Sequence, residues 1–102
     1  MPHFMFKLIA PRPTFSMDMN EEEKRLMQQH AIFWNDLLAN GTALIYGPVL
    51  DPKGPYGLAI IEADNEEKAR AICTNDPTIK AKLHTYELHP MHVFTGQQSS
   101  SF

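Results

Sequence analysis

A chain of 102 residues suffices for one domain, and its 43% hydrophobic content, with six Phe, six Met, three Tyr and one Trp, is ordinary for a globular core. Nine basic and twelve acidic residues give a net charge of −3 with no Lys/Arg run, so the electrostatic footprint of a nucleic-acid binder is missing. The single cysteine, Cys73, excludes an intrachain disulfide and a cysteine-built zinc site. No apolar stretch approaches the roughly 20 residues of a membrane span, so a cytoplasmic domain with no nucleic-acid or membrane partner is expected.

The first segment, "HFMFKLIA" (3–10), is too short and too interrupted for a secretory signal and reads as a strand. It runs into "PRPTF", a proline-stiffened loop. A helix is expected from about residue 20 to about residue 40. Asn20 with Glu23 is a variant of the capping box, three glutamates sit at the positive end of the dipole, and Gly41 is placed to end it. At 3.6 residues per turn, Leu26, Met27, His30, Phe33, Trp34, Leu37 and Leu38 share one stripe, with His30 near its middle.

Residues 42–50, "TALIYGPVL", read as a second strand broken by Gly47-Pro48. Turn chemistry fills 51–57, and "LAIIEA" (58–63) reads as a third strand in a hairpin with the second. A short helix follows, capped by Asp64, with Ala69, Ile72 and Cys73 on one face. Asp76 and Pro77 form a cap and first-turn pair, and residues 83–94 read as the last strand. Residues 1–95 are therefore one domain, and 96–102 are a polar tail expected to be disordered.

The order βαββαβ specifies the α+β, ferredoxin-like plan, an antiparallel sheet with two helices on one face. Strand one places Phe4, Phe6 and Leu8 on one side and His3, Met5, Lys7 and Ile9 on the other. Met5 and Ile9 are poor solvent residues, so the open face suits a dimer in which two sheets pack together.

A histidine inside a buried stripe needs a polar partner whether it is a core residue or a general acid/base, because a buried polar group left unpaired costs about 1–3 kcal/mol. Asp76 is a candidate partner, since a carboxylate can cap with one oxygen and accept from an imidazole with the other. Taken alone, it is equally an ordinary helix cap. His84 and His92 share a strand face that His89 does not, which opposes a metal site, and no metal or cofactor motif is present. Cys73 reads as core. Three further readings each have a structural and a functional form. Arg12 is a solvated loop residue or a clamp for a carboxylate, Gly47-Pro48 is a turn or a close approach to a ligand, and Phe15 and Trp34 are core or dimer contacts or, together with Met5, the wall of a pocket for an aromatic-derived acid.

The ordered set of a helix histidine in "HAIFWNDLLANG", a strand with "GP", then "EA", an "EEKARAI" helix, an Asp-Pro pair and a terminal strand reaching "HP" resembles the YCII-related (YciI-like) family over about residues 3–94. That resemblance implies a dimeric α+β barrel and an active-site pair falling on His30 and Asp76, with the GP signature on Gly47 and Pro48. Relatives of similar fold include muconolactone isomerases and dechlorinating lyases acting on products of aromatic-ring breakdown. The chain departs from the family pattern in the long "APRPTFSMDMN" segment, which carries Arg12, and in Leu58, which stands where many members have serine. The expectation is a homodimeric isomerase or lyase of a small molecule, with His30 moving a proton and Asp76 orienting its ring. The competing expectation is a non-catalytic ligand-binding or interaction domain, in which the same pair is a structural clasp.

Overall fold

The computed structural model describes residues 2–95; the expected polar tail, 96–102, lies outside the described residues. The elements are β1 (His3–Ile9), α1 (Phe15–Asp18), α2 (Glu21–Ala39), β2 (Ala43–Val49), β3 (Tyr56–Glu62), α3 (Glu66–Cys73), α4 (Pro77–Lys80) and β4 (Thr85–Met91). The four strands form one antiparallel sheet in the order β2-β3-β1-β4. This is the expected α+β, ferredoxin-like arrangement, with two short helices added to the βαββαβ plan. Among the described residues no helix is long and apolar enough to cross a membrane.

Alternation in β1 sets the two faces of the sheet. Phe4, Phe6 and Leu8 are buried toward the helices, and the residues between them are only partly covered. Helix α2 lays its stripe on the buried face, where Trp34 stacks on Phe6 with ring centroids 4.9 Å apart. Helix α3 contributes Ala69 and Cys73 to the same core. The capping box at the start of α2 is complete, with Asn20 accepting from the Glu23 amide and Glu23 accepting from the Asn20 amide. Past the other end, Gly41 takes φ of 83°, a left-handed conformation that glycine adopts without a Cβ penalty.

Three local expectations differ from the structure. Strand β2 runs through Gly47-Pro48 without a break, because it is an edge strand and proline has no ladder partner to lose on its open side. The irregularity falls earlier, as a bulge between Ala43 and Ile45. Helix α3 is capped by Asn65, which accepts from the Lys68 amide, while Asp64 pairs with the Lys68 ammonium instead. The stretch read as a plain loop after β1 closes into α1, where Thr14 and Arg12 both bond Asp18.

Candidate active site

His30 is carried inward by the α2 stripe and is 2% exposed. Its Nδ1 lies 2.6 Å from Asp76 Oδ2, so the two residues meet across the fold. Asp76 is the cap of α4, as its sequence chemistry implies, and it caps with Oδ1 alone. The Thr78 amide and hydroxyl donate to that oxygen at 2.8 and 2.7 Å. Oδ2 accepts from His30 and from the Trp34 indole N–H, the latter at 2.7 Å. Burial by itself would raise the carboxyl's pKa, but the donors from His30, Trp34 and Thr78 together hold it below the ordinary value. Asp76 is therefore an ionised, wholly buried acceptor, and His30 Nδ1 carries the proton between them.

In the neutral imidazole the remaining lone pair is on His30 Nε2, and the Tyr46 hydroxyl lies 2.5 Å from that atom. Burial, reinforced by the Asp76 charge, pushes the Tyr46 phenol up to about 12, so it stays protonated and donates to Nε2. The result is a chain from Asp76 through His30 to Tyr46. Its planes are fixed by packing: the Tyr46 ring lies 5.4 Å from Trp34 and nearly parallel to it, at 9°.

The chain opens on a cavity of about 210 Å³ lined by Leu8, Ala10, Pro13, Phe15, Ser16, Met27, His30, Tyr46, Pro48, Pro55, Tyr56, Gly57 and His84. Its wall is mainly apolar, with polar groups from a few side chains, the usual make-up of a small-molecule site. Among the expected wall residues, Phe15 and Pro48 border the cavity. Trp34 stands behind it, fully buried, and acts on the site only through Asp76 and Tyr46. Gly47 pairs with Leu58 on the other face of the sheet, where an added Cβ would meet nothing within 4 Å. Met5 points to that same face because Phe4 and Phe6 take the inner one.

Arg12 lies off the cavity wall. Its guanidinium is engaged by Asp18 at 2.7 Å and by both carboxylate oxygens of Glu23, at 2.8 and 2.9 Å. Arg12 accordingly holds Glu23 down to about 2. It ties the loop after β1 to the start of α2, and its guanidinium packs over Phe15. Arg12 thus sets the cavity wall through Phe15 rather than presenting a free cation to a ligand.

The sequence singles out neither of two further site residues for this cavity: it passes over Tyr46 and weighs His84 only as a metal ligand. Tyr46 lies beside the Gly47-Pro48 pair, and its hydroxyl completes the hydrogen-bonded chain. His84 lies just before β4 rather than within it, is 5% exposed, and borders the cavity.

The chain matches the YCII-related domain over residues 4–92. No protein among those with curated descriptions matches it. Among solved structures it is similar to 5-chloro-2-hydroxyhydroquinone dehydrochlorinase from Burkholderia phenoliruptrix in complex with 2,5-dihydroxybenzoquinone, with a TM-score of 0.64 at 17% identity, covering 96% of this chain and 98% of that one. That likeness shows the same α+β fold over nearly the whole of both chains. A sheet and helix order of this kind and a match that spans nearly all of the described residues lead to one conclusion: the chain belongs to the YCII-related family.

Proposed function

We propose that the protein is an isomerase or lyase acting on a small ring compound by general acid/base chemistry. The observation that carries this reading is the chain Asp76–His30–Tyr46 ending on the wall of an apolar cavity. His30 Nε2 is the base. It takes a proton from a substrate carbon next to a carbonyl, and the C–H electron pair becomes the new C=C bond. In an elimination, the C–X electron pair leaves with X⁻. In an isomerisation, the electron pair of a C=C bond already in the substrate takes the proton back from His30 at a different carbon, so the double bond moves and none is gained. Asp76 orients the ring and balances the imidazolium that forms, and the Tyr46 hydroxyl, freed from Nε2, donates to the developing enolate.

Substrate size supports the same reading. An apolar cavity of about 150 Å³ takes up benzene, so 210 Å³ admits one six-membered ring with small substituents. The similar solved protein is a dehydrochlorinase bound to a dihydroxybenzoquinone, and an oxygenated ring of that class is the substrate type proposed here. Phe15 and Pro48 pack against the ring. The same reading takes the protein as a homodimer through the open face of the sheet, where Met5, Lys7 and Ile9 stand with Ile45, Leu58 and Ile60.

Proton exchange tests it without knowledge of the natural substrate. Cyclohexanone and chlorinated hydroxyquinones are incubated with the protein in D2O and followed by NMR and by chloride release. Exchange or elimination above the buffer rate is expected, falling by about 10²-fold or more in His30→Gln. No rate above buffer in any of them, together with a large stability loss in His30→Gln, overturns the catalytic reading in favour of a structural clasp.

A further inference from the structure

His84 borders the cavity yet has no part in the chain from Asp76 to Tyr46. Its Nδ1 is the one buried side-chain polar atom among the described residues without a hydrogen-bond partner. Nε2 is not sealed in this way, and no described residue bonds it either. Such a group calls for an explanation, because buried imidazoles ordinarily find partners.

The ring is firmly placed. The Leu83 and His84 amides both donate to the Thr78 carbonyl, at 2.9 and 3.1 Å, and Thr78 is the residue that holds Asp76 Oδ1. Phe15 packs edge-on at 5.0 Å. The segment that fixes the carboxylate of the acid/base chain therefore also fixes this second imidazole. Burial, with the nearby His30 adding to it, pulls His84 down to about 4 against the opposing charges of Asp76 and Glu23. At neutral pH the ring is uncharged and has one N–H. On Nδ1 that hydrogen would be a sealed donor with no acceptor, whereas on Nε2 it leaves only a lone pair sealed.

We propose that His84 Nε2–H is a hydrogen-bond donor to a carbonyl or enolate oxygen of a ring bound in the cavity, and that it selects rings carrying such an oxygen. The proposal rests on the cavity being a ring site, as argued above, but not on His30 being a base. A neutral imidazole suits the role, since it polarises a carbonyl without giving up its proton. When His30 removes a proton next to that carbonyl, the charge that develops on the oxygen is met by His84.

The test compares cyclohexanone with methylenecyclohexane, which has a carbon in place of the oxygen. Both are titrated into protein with ¹⁵N-labelled histidine. In the wild type, Nε2 of His84 is expected to be protonated and to shift with cyclohexanone but not with methylenecyclohexane. The ratio of the two affinities should fall about five- to tenfold in His84→Phe, the worth of one hydrogen bond, and persist in His84→Gln, which keeps a donor. The ratio is internal to each variant, so a general loss of stability does not imitate the effect. If His84→Phe fails to fold, His84→Gln and the wild-type nitrogen signals decide. An unchanged ratio in His84→Phe, a lost ratio in a folded His84→Gln, or a wild-type Nε2 without a proton overturns the proposal. Failure of both rings to bind overturns it together with the ring site. Binding with the expected ratio but no proton exchange leaves His84 in place and defeats only the acid/base reading.

Discussion

Asp76 concentrates the demands of the site on a single carboxylate. Two donors meet Oδ2 and two meet Oδ1, so both oxygens must be acceptors. In Asp76→Asn the amide nitrogen faces donors on whichever side it lies, and buried N–H groups are left without acceptors. The variant should lose about 2–4 kcal/mol of stability by urea denaturation. Acid has a graded effect. His84 stands at about 4 in the fold against an ordinary 6.5, so the unfolded chain binds the proton first. Its contribution is complete above pH 6.5 and erodes as pH falls toward 4. Asp76, held below 3.8, contributes above that value and loses its share only as pH drops through its lower folded value. Thermal melts should therefore weaken first between pH 6.5 and 4, and His84→Phe should flatten that part of the curve. Helical periodicity and cap chemistry were enough to turn His30 inward and to place Asp76 at a helix start. Their meeting depends on α2 and α4 packing together, which no local pattern encodes.

Element by element, legibility followed how local the cause is. The α2 capping box and the Asp76-Pro77 start of α4 are contained within a few residues, and both stand where the sequence puts them. Strand β2 shows the opposite case. Strict alternation from Ala43 would turn Ile45 and Gly47 inward, but the bulge resets the phase, so Ala43 is buried, Ile45 is 56% exposed, and Tyr46 comes to face the helices. The residue that completes the hydrogen-bonded chain is thus oriented by an extra backbone residue. Pro48 looked like a strand end because nothing in the sequence says that β2 lies at an edge. His84 was assigned to a regular strand, whereas β4 begins at Thr85 and the Thr78 carbonyl sets the backbone just before it.

Across the whole molecule, the sheet has one face committed to the core and one with an apolar centre. Met5, Ile45 and Ile60 lie together there by register, bordered by the His3–Glu62 pair and by Lys7 beside Glu87. A second copy seated on this face would cover that centre, and a charge placed in it should prevent the pairing. Light scattering is expected to give a dimer for the wild type and a monomer for Ile45→Asp. A monomeric wild type at micromolar concentration would remove the barrel assembly while leaving the subunit fold intact. One further consequence follows from how Trp34 is held. It is the chain's sole tryptophan, clasped between Phe6 and Tyr46, with its indole hydrogen on the Asp76 carboxylate. Its ultraviolet emission is therefore an intrinsic optical gauge of the site, and occupancy beside Tyr46 or discharge of the carboxylate can be followed by its colour and brightness in unlabelled protein.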